Sequence, residues 1–162
     1  MKGLLAIASG GIMAGILDLT YAIVVYSPRN PILIPQTIAS GVLGPQSYQD
    51  GTNAAVLGVA LHFFIAFSAA TVYYLASLKI DALTRYPLWC GMAYGAEVYL
   101  VMHALVLPLS AVPKHPIPPV YVVTEFIEHW FFVGLPIAFS LRKRTLLHLA
   151  FGCSKRLGRT SL

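Results

Sequence analysis

An all-α membrane protein, with four transmembrane helices in an antiparallel bundle, is the fold this sequence predicts, and three observations predict it. Four apolar segments, at about residues 4–26, 54–78, 88–112 and 120–141, each reach the roughly 20 residues a helix needs to cross about 30 Å of hydrocarbon. Only 10% of the residues are charged and the mean hydropathy is +0.73, whereas a soluble domain carries about 25% charged residues. The segments also lack polar/apolar alternation and far exceed the roughly 9 to 11 residues of a membrane strand.

The first segment follows Met1-Lys2 and runs through its small residues to Tyr26 without an Ala-x-Ala cleavage site, so it is expected to be a retained helix. Gly11 and Gly15 share a face with Asp18 there, because offsets of four and seven residues return to nearly the same angle. The connection 27–53 contains Pro28, Pro31, Pro35 and Pro45, yet its middle, 34–44, is apolar. Pro35 suits the first turn of a short helix and Gly41 or Gly44 its end, which predicts an interfacial or re-entrant helix of about two turns. The plain reading is a lid that packs on the bundle; substrate gating is the alternative.

In the second segment Gly58 lies one turn before His62. The short charged loop 79–87 makes segments two and three antiparallel neighbours. Segment three carries Glu97 and His103, together with a Gly91/Gly95 ridge that is expected to pack a neighbouring helix or a second copy. Loop 113–119 holds four prolines in seven residues, so it is stiff and extended, with His115 in water. Segment four carries Glu125, Glu128 and His129. After it, residues 142–162 form a basic amphipathic tail, with Leu146, Leu147, Leu149 and Phe151 among its cations, suited to an anionic lipid surface. Residues 1–141 thus make one membrane domain and 142–162 a cytoplasmic tail.

Nine cations (Lys2, Lys79, Arg85, Arg142, Lys143, Arg144, Lys155, Arg156 and Arg159) fall on one side, and two (Arg29 and Lys114) on the other. Cytoplasmic loops carry the excess of Lys and Arg, so both termini are expected inside. The net charge of +5 is then topological, and without a basic-aromatic motif nucleic acid is set aside. Cys90 and Cys153 both lie on the predicted inner side, where thiols stay reduced, and neither has a zinc or redox spacing.

Function is signalled by depth. Asp18 lies eight residues below Tyr26, His62 eight below Ala54, His103 nine below Val112 and His129 nine below Val120. All four therefore sit about 12 to 14 Å inside the outer boundary. An Asp in hydrocarbon costs about 2.5 to 3.5 kcal/mol on insertion scales, so such residues need partners. Glu125 shares the face of His129, as a co-ligand or as its orienting carboxylate. Glu97 is offset by six residues from His103, which turns it toward another helix or a hydroxyl.

The run from Leu88 to Gly95 (Leu-Trp-Cys-Gly-Met-Ala-Tyr-Gly), His103 with Leu107-Pro108, His62-Phe-Phe-Ile-Ala-Phe, and Glu125-x-x-x-His129-Trp-Phe together resemble the YagU-like family of small bacterial inner-membrane proteins. The resemblance covers about residues 55–142. It implies a four-helix inner-membrane protein with His62, His103, Glu125 and His129 as its polar signature, and no particular reaction. Asp18 rests on depth alone, and Glu128 stands where the family pattern leads one to expect a small residue.

Three functions are open to this layer. His62, His103, Glu125, His129 and Asp18 could bind zinc or iron, or the histidines could clamp a haem in a crevice lined by Phe63, Phe67, Tyr99 and Phe132. A structural or accessory subunit would use the same residues as interhelical glue. Proton or solute transport would need a homo-oligomer or a larger membrane complex, since four short helices enclose little space. Nucleophilic catalysis has less support than any of these, because no serine or cysteine flanks a histidine at this depth.

Overall fold

A computed structural model describes residues 2–114 and 118–142, which form helices joined by short connections. Helix α1 spans Lys2–Tyr26, α2 Leu33–Leu43, α3 Gly51–Ser77, α4 Ala82–Arg85, α5 Pro87–Leu109 and α6 Pro119–Arg142. Of these, α1, α3, α5 and α6 are long and apolar enough to cross a membrane, which makes the chain a multi-pass membrane protein. His115 and the tail from 143 onward lie outside the described residues, as does Cys153. Cys90 is a free thiol.

Where the side chains sit fits lipid rather than water. The main core cluster is built largely of small residues, Ala6, Ala14, Ala70 and Ala138, around Tyr73, Val133, Ile137 and Leu141. Large apolar residues such as Leu4, Leu5, Val56, Phe64, Leu75, Leu100 and Leu105 point outward. In a bilayer nothing is gained by sequestering leucine from leucine-like tails, so close helix approach through small residues takes over. In water so many exposed large apolar side chains would be an aggregation liability.

Helix α1 lies against α3 and the C-terminal half of α6, and α5 lies along α6. Gly11 and Gly15 receive the rings of Phe67 and Phe63 from α3, as their shared face predicted. The Gly91/Gly95 ridge packs a neighbour, α6: an added Cβ at Gly95 would meet the backbone of His129 and Trp130, and one at Gly134 would meet Gly91. Two prolines start helices, Pro87 in α5 and Pro119 in α6, where a missing N–H costs nothing.

The short helix of the first connection is present, and at eleven residues it is three turns rather than two. It begins two residues before Pro35 and ends at Gly44, whose φ of 61° favours glycine. A 3-10 turn, Gly44–Tyr48, then leads to Gly51, φ 58°, and α3. Helix α2 crosses α3 at Gly58, where the Pro35 backbone occupies the space a side chain would fill. That crossing lies seven residues, about 10 Å, in from the start of α3, so α2 is seated within the bundle's end and does not merely cover it. Gln36 Nε2 donates to the Gly51 carbonyl and the Ala111 N–H to the Gly41 carbonyl, tying α2 at both ends.

Two π-helical turns interrupt the spans, Met102–Val106 in α5 and His129–Gly134 in α6. Each ends two residues before a proline, Pro108 or Pro136. A proline cannot donate to the carbonyl four residues back and clashes with it, here Ala104 or Phe132, each inside its π turn. Widening the helix by one residue removes the conflict. Both wide turns fall at histidines of the polar layer.

Candidate functional site

The four polar residues predicted at one depth do come into one neighbourhood, as two groups with Tyr99 between them. The ring of Tyr99, 6% exposed, stacks on His103 at 4.0 Å between centroids and meets His129 edge-on at 5.4 Å. Its hydroxyl donates to the Val122 carbonyl at 3.3 Å, pinning the ring between α5 and α6. The three histidines therefore do not share one point, contrary to what their common depth suggests: an aromatic ring occupies the space between two of them.

The first group is His103 with Glu125. His103 Nε2 is 3.3 Å from Glu125 Oε2, and its Nδ1–H donates to the Tyr99 carbonyl one turn back at 3.1 Å. Both ring nitrogens are engaged, and the pair bridges α5 to α6. No third His, Cys, Asp or Glu joins the pair among the described residues.

The second group is Asp18, Glu128 and His129, each presenting one donor atom, all within 4.8 Å of one another. His129 Nδ1–H is shared between the Glu125 carbonyl at 2.8 Å and Glu128 Oε2 at 2.9 Å. With Nδ1 donating, the neutral ring keeps its lone pair on Nε2, the arrangement metal-bound histidines generally have. Glu128 is 5% exposed, and its Oε1 has no hydrogen-bond partner. An orphaned buried oxygen costs about 1 to 3 kcal/mol, more if charged. His62 flanks this group: its Nε2–H donates to the Gly15 carbonyl at 2.9 Å, with Asp18 Oδ2 at 3.7 Å. The glycine permits that bond, since a side chain at position 15 would collide with Phe63. A cavity of about 90 Å³ adjoins the group, with Asp18, His62, His129 and Met102 in its wall.

Glu128 is the residue that sequence reasoning set aside. In a regular α-helix it shares its face with Phe131 and Phe132, and Phe131 is 49% exposed. The π turn instead aligns position 128 with position 133, and Val133 is 6% exposed. Pro136 was the signal for this slip. Glu97, expected to bond another helix or a hydroxyl, is exposed on the outside of α5 and has no hydrogen bond or ion pair among the described residues. The aromatic residues expected to line a haem crevice are spent on packing: Phe63 and Phe67 fill the glycine notches, Tyr99 separates the histidines, and Phe132 leans on Tyr21 at 5.4 Å.

Comparison with protein-family models, with curated proteins and with solved structures finds no match to this chain.

Proposed function

We propose that this chain is a metal-binding protein of the bacterial cytoplasmic membrane, holding one zinc or ferrous ion between α1 and α6 through Asp18, Glu128 and His129. The observation that carries the reading is the buried, unpartnered Glu128 Oε1 within a three-residue donor group. Two ligands of one such ion lie at most about 4.4 Å apart, so donor atoms within 4.8 Å of one another need only a small closing movement. One imidazole and two carboxylates suit zinc or iron, and the ion would offset the charge these groups bring into the bundle. The cavity of about 90 Å³ leaves space for a water or small ligand beside the ion. A haem needs far more, since even drug-sized ligands occupy about 300 Å³ or more.

His62 acts here by holding Asp18, and His103 with Glu125 by joining α5 to α6. The latter pair follows the structural alternative, because it bridges two helices and no third ligating residue joins it among the described residues. The nine-to-two division of cations supports cytoplasmic termini. Membership of the YagU-like family rests on the motifs around His62, His103 and Glu125-x-x-x-His129.

The test is elemental analysis of the detergent-purified full chain. Wild type should carry about one zinc or iron per chain, Glu128→Gln and Asp18→Asn should lose it, and His103→Ala should keep it. Added metal at about 100 times its Kd should stabilise wild type by about 2.7 kcal/mol and leave Glu128→Gln unmoved. Protein that stays metal-free in replete medium and gains no stability from added zinc or iron would refute the proposal.

A further inference from the structure

Glu97 is the one carboxylate of the described spans that neither group absorbs. It lies ten residues from Pro87 and twelve from Leu109, about 15 to 18 Å from either end of α5. That is near the middle of the hydrocarbon, and the residue is exposed. Intramembrane carboxylates normally face the bundle interior or a polar partner. This one faces an open groove of about 310 Å³ between α3 and α5, where Phe64, Ser68 and Val72 stand opposite Tyr94 and Val101. Glu97 is the groove's one charged lining residue.

Among the described residues no cation pairs with it there. Apart from Lys2 and Arg142 at the ends, the four spans contain no lysine or arginine. A second copy laid in the groove would bring no cation to this depth either. The polar groups nearby are already committed: Ser68 Oγ donates to the Phe64 carbonyl at 2.8 Å, and the Tyr94 hydroxyl donates to the Ala69 carbonyl at 2.7 Å. A cation with several N–H donors would find one carboxylate and little else. A cation whose charge is shielded by carbon needs only the carboxylate and the aromatic faces of Phe64 and Tyr94. The groove volume falls at the lower end of the small-ligand range, about 300 to 1,000 Å³.

We infer that the α3/α5 groove is a binding site for a lipophilic monocation that enters from the bilayer, with Glu97 as its counter-ion. The site is separate from the metal group and does not depend on it.

Tetraphenylphosphonium tests this by equilibrium dialysis against the full chain in detergent, corrected for uptake by protein-free micelles. Wild type should bind saturably, about one cation per chain. Glu97→Gln, nearly isosteric, should weaken binding by about tenfold or more. Ser68→Trp should do the same by filling the groove while leaving the carboxylate. Asp50→Asn, which removes a carboxylate outside the spans, should bind like wild type. Non-saturable uptake by wild type, or equal affinity in Glu97→Gln, overturns the inference. So does disulfide cross-linking of Val101→Cys between two copies, because a second chain would then cover the groove.

Discussion

Gly95→Ala puts the most weight on the packing described above. One methyl group added there would stand 2.8 Å from the carbonyl carbon of His129 and 2.8 Å from the Cα of Trp130, and closer still to the His129 oxygen. Carbon atoms rest at about 3.5 to 4.0 Å, so α5 and α6 must part by roughly 1 Å at this crossing. The atoms met are backbone, which cannot rotate away. Overpacking of this kind costs about 1 to 3 kcal/mol. Opposing it is the helix propensity of alanine over glycine, worth about 1 kcal/mol. The steric cost should prevail, leaving a net loss of up to about 2 kcal/mol. Two companions calibrate it. At Gly91 the nearest atoms would be 2.9 to 3.1 Å away and include the Leu135 side chain, which can yield, so Gly91→Ala should lose less. At Gly41 the nearest are 3.7 and 3.8 Å away, so Gly41→Ala should gain up to about 1 kcal/mol. Unfolding in mixed micelles by added SDS, followed by tryptophan fluorescence, reads the order Gly41→Ala, wild type, Gly91→Ala, Gly95→Ala. Because the displaced backbone belongs to His129, Gly95→Ala should also weaken metal retention. A Gly95→Ala protein as stable as Gly41→Ala would refute the tight α5/α6 crossing.

Further outcomes are expected elsewhere. A double-mutant cycle on His103→Ala and Glu125→Ala should give a coupling of about 0.6 kcal/mol, up to about 1.7; no coupling would mean that the 3.3 Å pair contributes nothing to joining α5 and α6. Gly58→Ala sets a methyl 2.6 Å from the Pro35 carbonyl carbon, so α2 must lift from α3; limited proteolysis should then cut the 27–50 segment faster, and an unchanged rate would place α2 off this helix. In a Cys90→Ser/Cys153→Ser background, an impermeant maleimide should label Arg29→Cys in intact cells and Lys79→Cys after permeabilisation, and the reverse pattern would invert the charge-based orientation.

The long apolar runs determined four spans because their length and hydropathy are local properties that any helical packing must respect. Depth was legible for the same reason: at 1.5 Å per residue, Asp18, His62, His103 and His129 had to fall in one layer. Glycine faces were legible too, and Gly11 and Gly15 duly meet α3. Angle around the helix was not, because it accumulates along the chain, and one wide turn resets it. The turn before Pro136 brought Glu128 inward, and packing between α5 and α6 placed Tyr99 between two histidines. Glu97 shows the same division: its depth was fixed by counting, whereas its lack of a partner depends on α3 and α5 leaving a groove between them. Sequence set how deep each polar group lies in this protein, and tertiary structure alone decided which of them meet.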